Sequence, residues 1–253
     1  MKSWLKHPLR VTIRLLWLVG ELVLGALLYL FHCALRSAET APRRRAQWLQ
    51  WLCRRVLRVF GAHVDLVGAA PQRGLVVSNH LSYLDIVVLG AGSPTVFVAK
   101  QEVAGWPVFG WFARLAGTVF VNRESRSQVG EVAGEIERRL NQGALVVLFP
   151  EGTSSDGQTV LPFKSSLLEP AVRLTHPLTT ALIQYELSGG DVGEEVCYWK
   201  DMTLVPHLIN LLSKQGLRAS VSFAASQAGG ADRKQLARQL HAEILQMKAA
   251  RPA

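Results

Sequence analysis

The sequence predicts an α/β fold: a mixed, largely parallel sheet flanked by helices, with an N-terminal apolar helical membrane anchor. Three observations carry this expectation. Past residue 61, short β-rich runs alternate with longer stretches of helical period, the pattern of strands joined by crossover helices. Before it lie two consecutive stretches that are both apolar and basic. Charge is segregated as well. Residues 1–60 hold eleven Lys/Arg and two Glu, and residues 61–253 hold 17 Lys/Arg and 17 Asp/Glu, so the whole formal charge of +9 belongs to the N-terminal segment. The expected division is 1–60, membrane-anchoring helices, and 61–253, a domain that carries the chemistry. With 253 residues, 49% of them hydrophobic, the chain is long enough for one sizeable core and an appendage.

The first apolar run is Leu15–Phe31, extended weakly to Leu35 and broken by Glu21. Its length is near the lower limit for crossing a bilayer, roughly 17–25 residues. Glu21 would cost a span about 2–3 kcal/mol if ionised near the midplane. Lys2, Lys6, Arg10 and Arg14 precede the run; Arg36 and Arg43-Arg44-Arg45 follow it. The positive-inside rule is therefore indecisive, and spanning and monotopic placements both stay open. A second amphipathic helix is expected over Trp48–Phe60, where Trp48, Trp51, Leu52, Val56 and Val59 alternate with Arg54, Arg55 and Arg58. Small residues at Ser37–Ala41 look like a signal cleavage site, but the segment after them is again apolar and basic, which favours an anchor. A nucleic-acid binder would carry its basic patch on the folded domain, which here is neutral; basic residues flanking an apolar run point instead to anionic lipid headgroups. Cys33, Cys53 and Cys197 are odd in number and far apart, with no CxxC or His/Cys cluster. That argues against a disulfide framework and a structural zinc, and for a domain facing a reducing cytoplasm. The expected location is the inner (cytoplasmic) membrane.

Seven strands are predicted in order: Val64–Val67, Leu75–Ser78, Val96–Ala99, Thr118–Val121, Ala144–Phe149, Thr180–Tyr185 and Ser220–Ala224. Helices are predicted over Trp106–Ala116, Ser125–Asn141, Lys164–Leu174 and Asp232–Lys248. The second has Val129, Val132, Ala133, Ile136 and Leu140 on one face, a capping-box start at Ser125–Gln128 and Gly143 past its end. The stretch Ser188–Glu195 reads as an exposed polar loop.

Four short segments carry potential chemistry. Asn79-His80-Leu81-Ser82-Tyr83-Leu84-Asp85 follows a buried strand, and its His and Asp, five positions apart, can meet on a tight loop or first helical turn. Such a pair makes a general base: the imidazole takes a proton while the carboxylate fixes its tautomer and stabilises the imidazolium. Gly117–Arg123 is a strand ending in an Arg, either a functional cation or a cap for the next helix. In Val147–Ser155 a strand runs into Pro150 and the turn Glu151-Gly152-Thr153. There Gly152 lets backbone N–H groups approach a ligand and Thr153 adds a hydroxyl, although an ordinary tight turn fits equally. In Leu161–Ser166, Lys164 opens a helix against its dipole, which suits an anionic partner or a plain surface lysine.

In this order and spacing, these segments resemble the glycerolipid acyltransferases, that is, the 1-acyl-sn-glycerol-3-phosphate (lysophosphatidate) acyltransferases and their bacterial relatives. Asn79-His80 through Asp85 matches the family's His-x4-Asp motif, Phe120–Arg123 its second motif and Phe149–Thr153 its third; the likeness covers roughly residues 55–185. The resemblance implies transfer of a fatty acyl group from acyl-CoA or acyl-carrier protein to a lipid hydroxyl, without a covalent acyl-enzyme, metal or cofactor. His80 would be the base and Asp85 its orienting partner. Asn79, Ser82, Arg123, Glu151, Gly152, Thr153 and Lys164 would bind substrate, with Arg123 suited to a bidentate phosphate. The implied partners are membrane lipids, a lysolipid acceptor and the acyl donor. Ser154 stands where many members have Arg, Thr179-Thr180-Ala181 where a Pro is usual, and Ser166 where a Gly is common. Lysophosphatidate is the first expectation for the acceptor. The missing Arg makes lyso-ornithine lipid, or another lysolipid without a terminal phosphate, the alternative. A non-catalytic lipid-binding protein of the same fold and a metal-dependent hydrolase using His80, Asp85 and Glu151 are the competing classes.

Overall fold

The computed structural model describes residues 7–34, 41–122, 126–172, 176–227 and 232–250. All seven predicted strands are present: β1 (His63–Val67), β2 (Gly74–Ser78), β3 (Thr95–Lys100), β4 (Val119–Val121), β5 (Leu145–Leu148), β6 (Leu178–Leu187) and β7 (Leu217–Ala225). They form one sheet in the order β1-β7-β6-β2-β5-β3-β4. Every neighbouring pair is parallel except β6 with β7. β2 and β5 sit at the centre and are buried along their whole length, which is why they read as unbroken apolar runs rather than alternating ones.

The helices are α1 (Pro8–Tyr29, continued by a π turn Leu30–Ala34), α2 (Ala41–Phe60), α3 (Leu84–Gly92), α4 (Phe109–Ala116) and α5 (Arg126–Asn141). They are followed by α6 (Glu169–Val172), α7 (Val192–Glu195), α8 (Leu204–Leu212) and α9 (Arg233–Ala249). Alternation along the strands splits the core between the two faces of the sheet. Val76, Val147, Ile183 and Tyr185 join α1, α2, α3 and α4 on one side. Leu75, Val77, Val146 and Leu148 join α5 and α9 on the other.

Several elements depart from the sequence prediction. α4 starts only at Phe109, because Pro107 is followed by Val108 at φ 62°, and a 3₁₀ turn, Gln101–Gly105, precedes it. Gly110 lets that turn close: a Cβ there would stand 2.4 Å from the Ala104 carbonyl oxygen. The helix expected over Lys164–Leu174 is a 3₁₀ turn, Ser165–Leu168, running into α6. The polar stretch Ser188–Glu195 contains α7, capped by Asp191, whose carboxylate accepts the Glu194 N–H at 2.9 Å. α8 was not expected, and of α3 only a first turn near Asp85 was allowed for, as the alternative to a tight loop. The capping-box start at Ser125 lies outside the described residues.

α1 is the one helix among the described residues long and apolar enough to cross a membrane. It nonetheless lies along the domain. Leu18, Glu21, Gly25 and Tyr29 form a buried stripe at spacings of three and four. Trp48 Nε1 of α2 donates to the Gly25 carbonyl at 2.8 Å. Arg10 donates to Ser213 O at 2.9 Å, and Arg14 to Lys214 O at 2.6 Å and Leu212 O at 3.2 Å, satisfying carbonyls at the end of α8. Glu21, the residue that breaks the apolar run, faces the protein: Arg55 Nη2 donates to it at 2.7 Å and Trp17 Nε1 at 2.8 Å. The opposite face of α1 exposes Leu9, Ile13, Leu16, Val19, Val23 and Leu27.

Candidate active site

The carboxyl ends of parallel strands open onto loops, and in open α/β sheets that is where ligands bind. β2 ends at Ser78, and the loop Asn79–Tyr83 leads directly into α3. His80 Nδ1 lies 2.7 Å from Asp85 Oδ2. Asp85 is in the first turn of α3, where the helix dipole favours a carboxylate. It is fully buried and accepts on both oxygens. Oδ2 takes the Leu81 N–H at 2.7 Å and the Ser82 N–H at 3.1 Å in addition to the imidazole, and Oδ1 takes the Tyr185 hydroxyl at 2.7 Å. Because Asp85 holds Nδ1, the imidazole presents Nε2 outward as the proton-accepting nitrogen. Among the described residues Nε2 has no partner. The His80 side chain is 22% exposed, and its ring stacks on Phe149 with centroids 4.3 Å apart.

The neighbouring candidates divide into braces and rim. Asn79 is buried and clamps Ile183 of β6: its amide donates to Ile183 O at 3.0 Å and accepts Ile183 N–H at 2.7 Å. It extends the β2–β6 ladder one step past the end of β2 with a side chain. Glu151 is also buried. Oε1 accepts the His80 N–H at 2.9 Å and Oε2 the Leu161 N–H at 3.2 Å. Burial pushes its carboxyl up to about 7; the two N–H donors oppose the rise and the charge of Asp85 adds to it. Both side chains, expected against substrate, therefore face protein backbone. Ser82 is buried, with its N–H on Asp85 and its hydroxyl without a partner among the described residues. Gly152 adopts φ 74° and closes the turn through its N–H to Phe149 O at 3.1 Å. Thr153 and Lys164 are exposed at the rim, and the Lys164 N–H is held by Pro150 O at 2.8 Å. Arg123 lies outside the described residues. Ser154, the departure from the expected Arg, directs its hydroxyl to the Tyr198 carbonyl, and the Tyr198 N–H bonds Leu81 O at 2.8 Å.

An apolar cavity of about 170 Å³ lies between α1, α2, α3 and α4. Leu22, Cys53, Val56, Phe109 and Phe112 are among its walls, and Tyr83 and Phe97 face it nearest the loop. Phe97 stacks on Phe149, centroids 6.4 Å apart, so two stacked rings separate the cavity from the imidazole. Tyr83 is held by His207, whose Nδ1 is 2.9 Å from the phenol oxygen. His207 Nε2 lies 3.0 Å from a carbonyl, Cys197 O, so it carries the proton and Nδ1 accepts from Tyr83. Burial lowers the pKa of His207, keeping it neutral. Among the described residues no three His, Cys, Asp or Glu side chains group to hold a metal ion.

Sequence reasoning did not single out Tyr185 or Phe149, nor the contribution of α1 and α2 to the cavity. One signal was available for Tyr185: a phenol inside an apolar strand needs a hydrogen-bond partner when buried.

A buried carboxylate holding a partly exposed imidazole at the carboxyl edge of a mixed sheet is an arrangement suited to general-base chemistry on an α/β fold. The comparisons narrow the class. The acyltransferase family model matches residues 63–184. The lyso-ornithine lipid O-acyltransferase of Rhizobium meliloti is 36% identical over 229 residues, 83% of this chain and 76% of that protein. The 1-acyl-sn-glycerol-3-phosphate acyltransferase of Neisseria meningitidis serogroup B is 34% identical over 175 residues, 64% of this chain and 69% of that one. The crystal structure of the 1-acyl-sn-glycerophosphate acyltransferase of Thermotoga maritima shares the fold, with a TM-score of 0.69 over 99% of both chains at 21% identity. The chain belongs to the acyltransferase family.

Proposed function

We propose that the protein transfers a fatty acyl group from acyl-CoA or acyl-carrier protein to the hydroxyl of a lysolipid, with His80 as general base. The observation that carries this reading is the 2.7 Å contact between His80 and a fully buried Asp85, with Nε2 left facing outward. In the proposed step, Nε2 takes the proton of the acceptor hydroxyl while its oxygen attacks the thioester carbonyl. The tetrahedral intermediate collapses by breaking the C–S bond, and the departing thiolate regains the proton from the imidazolium. Asp85 stabilises that imidazolium. The thioester brings its own activation, so the chemistry calls for no cofactor or metal. The apolar cavity suits the acyl chain of the donor, two aromatic rings away from the base. Arg123, Gly152, Thr153 and Lys164 are proposed to meet the acceptor's polar head, and Asn79, Ser82 and Glu151 to hold the loop that carries His80.

For the acceptor, lyso-ornithine lipid is the first reading. The likeness to the Rhizobium meliloti enzyme runs over more of the chain than the likeness to the Neisseria meningitidis enzyme. Ser154, engaged with Tyr198, also leaves no guanidinium at that position for a phosphate. The second reading is 1-acyl-sn-glycerol-3-phosphate. We propose too that residues 1–60 anchor the enzyme to the inner membrane monotopically, with the catalytic domain 61–253 on the cytoplasmic side. Spanning would strip α1 from its contacts with α2 and α8, while its outer face offers the apolar residues an interfacial helix buries in lipid.

The test is a panel of lysolipid acceptors against long-chain acyl-CoA and acyl-carrier protein, run with wild type, His80→Ala and Asp85→Ala. Wild type should acylate lyso-ornithine lipid, and both variants should lose about 10²- to 10⁴-fold in turnover. Wild-type turnover by His80→Ala would sink the assignment of the base. Preference for 1-acyl-sn-glycerol-3-phosphate would select the second reading.

A further inference from the structure

We propose that Tyr185 is a positioning residue for acyl transfer: its phenol holds the Asp85 carboxylate in the one rotation that serves His80. The inference rests on the reading of His80 as general base. Tyr185 lies 100 positions from Asp85 in sequence, on β6, and donates to Oδ1 at 2.7 Å. Among the described residues, Oδ1 has no other partner. Oδ2, by contrast, receives three donors: His80 Nδ1, Leu81 N–H and Ser82 N–H.

The consequence is an asymmetric carboxylate. Asp85 is 0% exposed, so neither oxygen is reached by solvent. Without the phenol, Oδ1 becomes a buried anionic acceptor with nothing to accept. The group then relaxes by rotating about its Cβ–Cγ bond to share the three donors between both oxygens. Such a rotation drags the imidazole with it, because the two backbone donors are fixed by the loop and the imidazole is the mobile member, so the bond to His80 persists while Nε2 swings off line. Tyr185 can only donate in this pairing. Burial, reinforced by the charge of Asp85, raises its pKa well above the ordinary phenol value, which keeps the proton on oxygen. The same strand holds the front of the loop, where Asn79 clamps Ile183 two residues before Tyr185. β6 thus grips the His80 loop at both ends.

A second effect has a definite sign. A hydrogen bond from Tyr185 withdraws charge from the carboxylate, and removing it leaves more negative charge facing the imidazolium. The acid limb of the kcat/KM–pH profile should then move to higher pH.

The experiment uses the full chain in mixed micelles with palmitoyl-CoA, assayed in parallel on lyso-ornithine lipid and 1-acyl-sn-glycerol 3-phosphate. Tyr185→Phe keeps the ring and its packing and removes only the hydroxyl. It should lower kcat about 10- to 100-fold, the range of one hydrogen bond to a charged group. KM for both substrates should stay within twofold, and the acid limb should rise. Incorporating 3-fluorotyrosine at position 185 makes a stronger donor of nearly the same shape and should shift the limb the other way, a readout that survives if the Phe variant does not fold. An unshifted limb, with either wild-type kcat or a loss uniform across pH, overturns the positioning role. His80→Ala is run alongside: if it stays active, the base assignment fails instead, and this inference with it.

Discussion

Replacing Glu151 by Gln separates two demands that the site places on one buried carboxyl. In wild type its pKa is raised to about 7 from an ordinary 4.5, chiefly by burial. Between those two values the folded protein holds a proton that the unfolded chain has released. Stability therefore falls as pH rises through this window, and the deficit is complete above the folded value. At about 1.4 kcal/mol for each tenfold change in proton concentration, it amounts to about 3 kcal/mol. Gln does not titrate, so the deficit disappears in the variant. Urea unfolding of both proteins in detergent, followed by tryptophan fluorescence at about pH 5 and about pH 8, isolates this group, because all other titrations cancel in the difference. The Gln variant should gain about 2.5 kcal/mol relative to wild type between the two conditions, because a small part of the deficit is already present at about pH 5. Activity should move the other way. A carboxylate accepts from both the His80 and Leu161 N–H groups, whereas an amide sets its own NH₂ against one of them. About tenfold loss of turnover is expected, the equivalent of one lost hydrogen bond. A stability difference that stays flat with pH would refute the account of why Glu151 is perturbed.

Asn79→Ala strands a buried N–H and C=O on Ile183 together. At about 1–3 kcal/mol each it should destabilise the protein by about 2–6 kcal/mol, measured by denaturant midpoint at unchanged slope. Ala113→Phe projects a ring into the apolar cavity. If the cavity holds the donor chain, the variant should shift the preferred acyl-CoA to shorter chains by two or more carbons, losing about 0.8 kcal/mol for each methylene no longer buried. A competition assay with mixed acyl-CoA lengths reads this directly, and an unchanged profile would place the chain elsewhere.

The strands were legible because each is a short β-rich run bounded by turn residues, and burial of β2 and β5 on both faces only strengthened that signal. α3 was not, since Leu84–Gly92 has apolar residues all round and hence no period to detect. Its tight fit against α2 depends on Gly90, where a Cβ would stand 2.8 Å from Cys53 Sγ, a relation across 37 residues that no local pattern announces. In the site, the spacing of His80 and Asp85 was enough to suggest their pairing, because a short loop running into a helix brings two side chains five positions apart within reach. The roles of Asn79 and Glu151 were not readable. Their residue types suit ligand contact and backbone bracing equally, and the backbone they hold, Ile183 of β6 and Leu161, lies far away or on another segment in sequence.

Glu21 shows how composition misleads in the opposite direction. Along the sequence it is a charge inside an apolar run and counts against burial in lipid. In the fold it marks the side of α1 that faces the protein: it pairs with Arg55 and Trp17 on the same stripe as Leu18, Gly25 and Tyr29. Hydropathy averages over the helix circumference, whereas the physical question is which face a residue occupies. Leu18 and Leu22 from this stripe also line the apolar cavity, together with Cys53 and Val56 of α2. The helices proposed to offer an apolar face to the bilayer therefore also form walls of the cavity proposed to hold the acyl chain. A charge on the protein-facing stripe fixes the rotation of α1 about its axis, because any turn that exposed Glu21 would leave Arg55 of α2 unpaired.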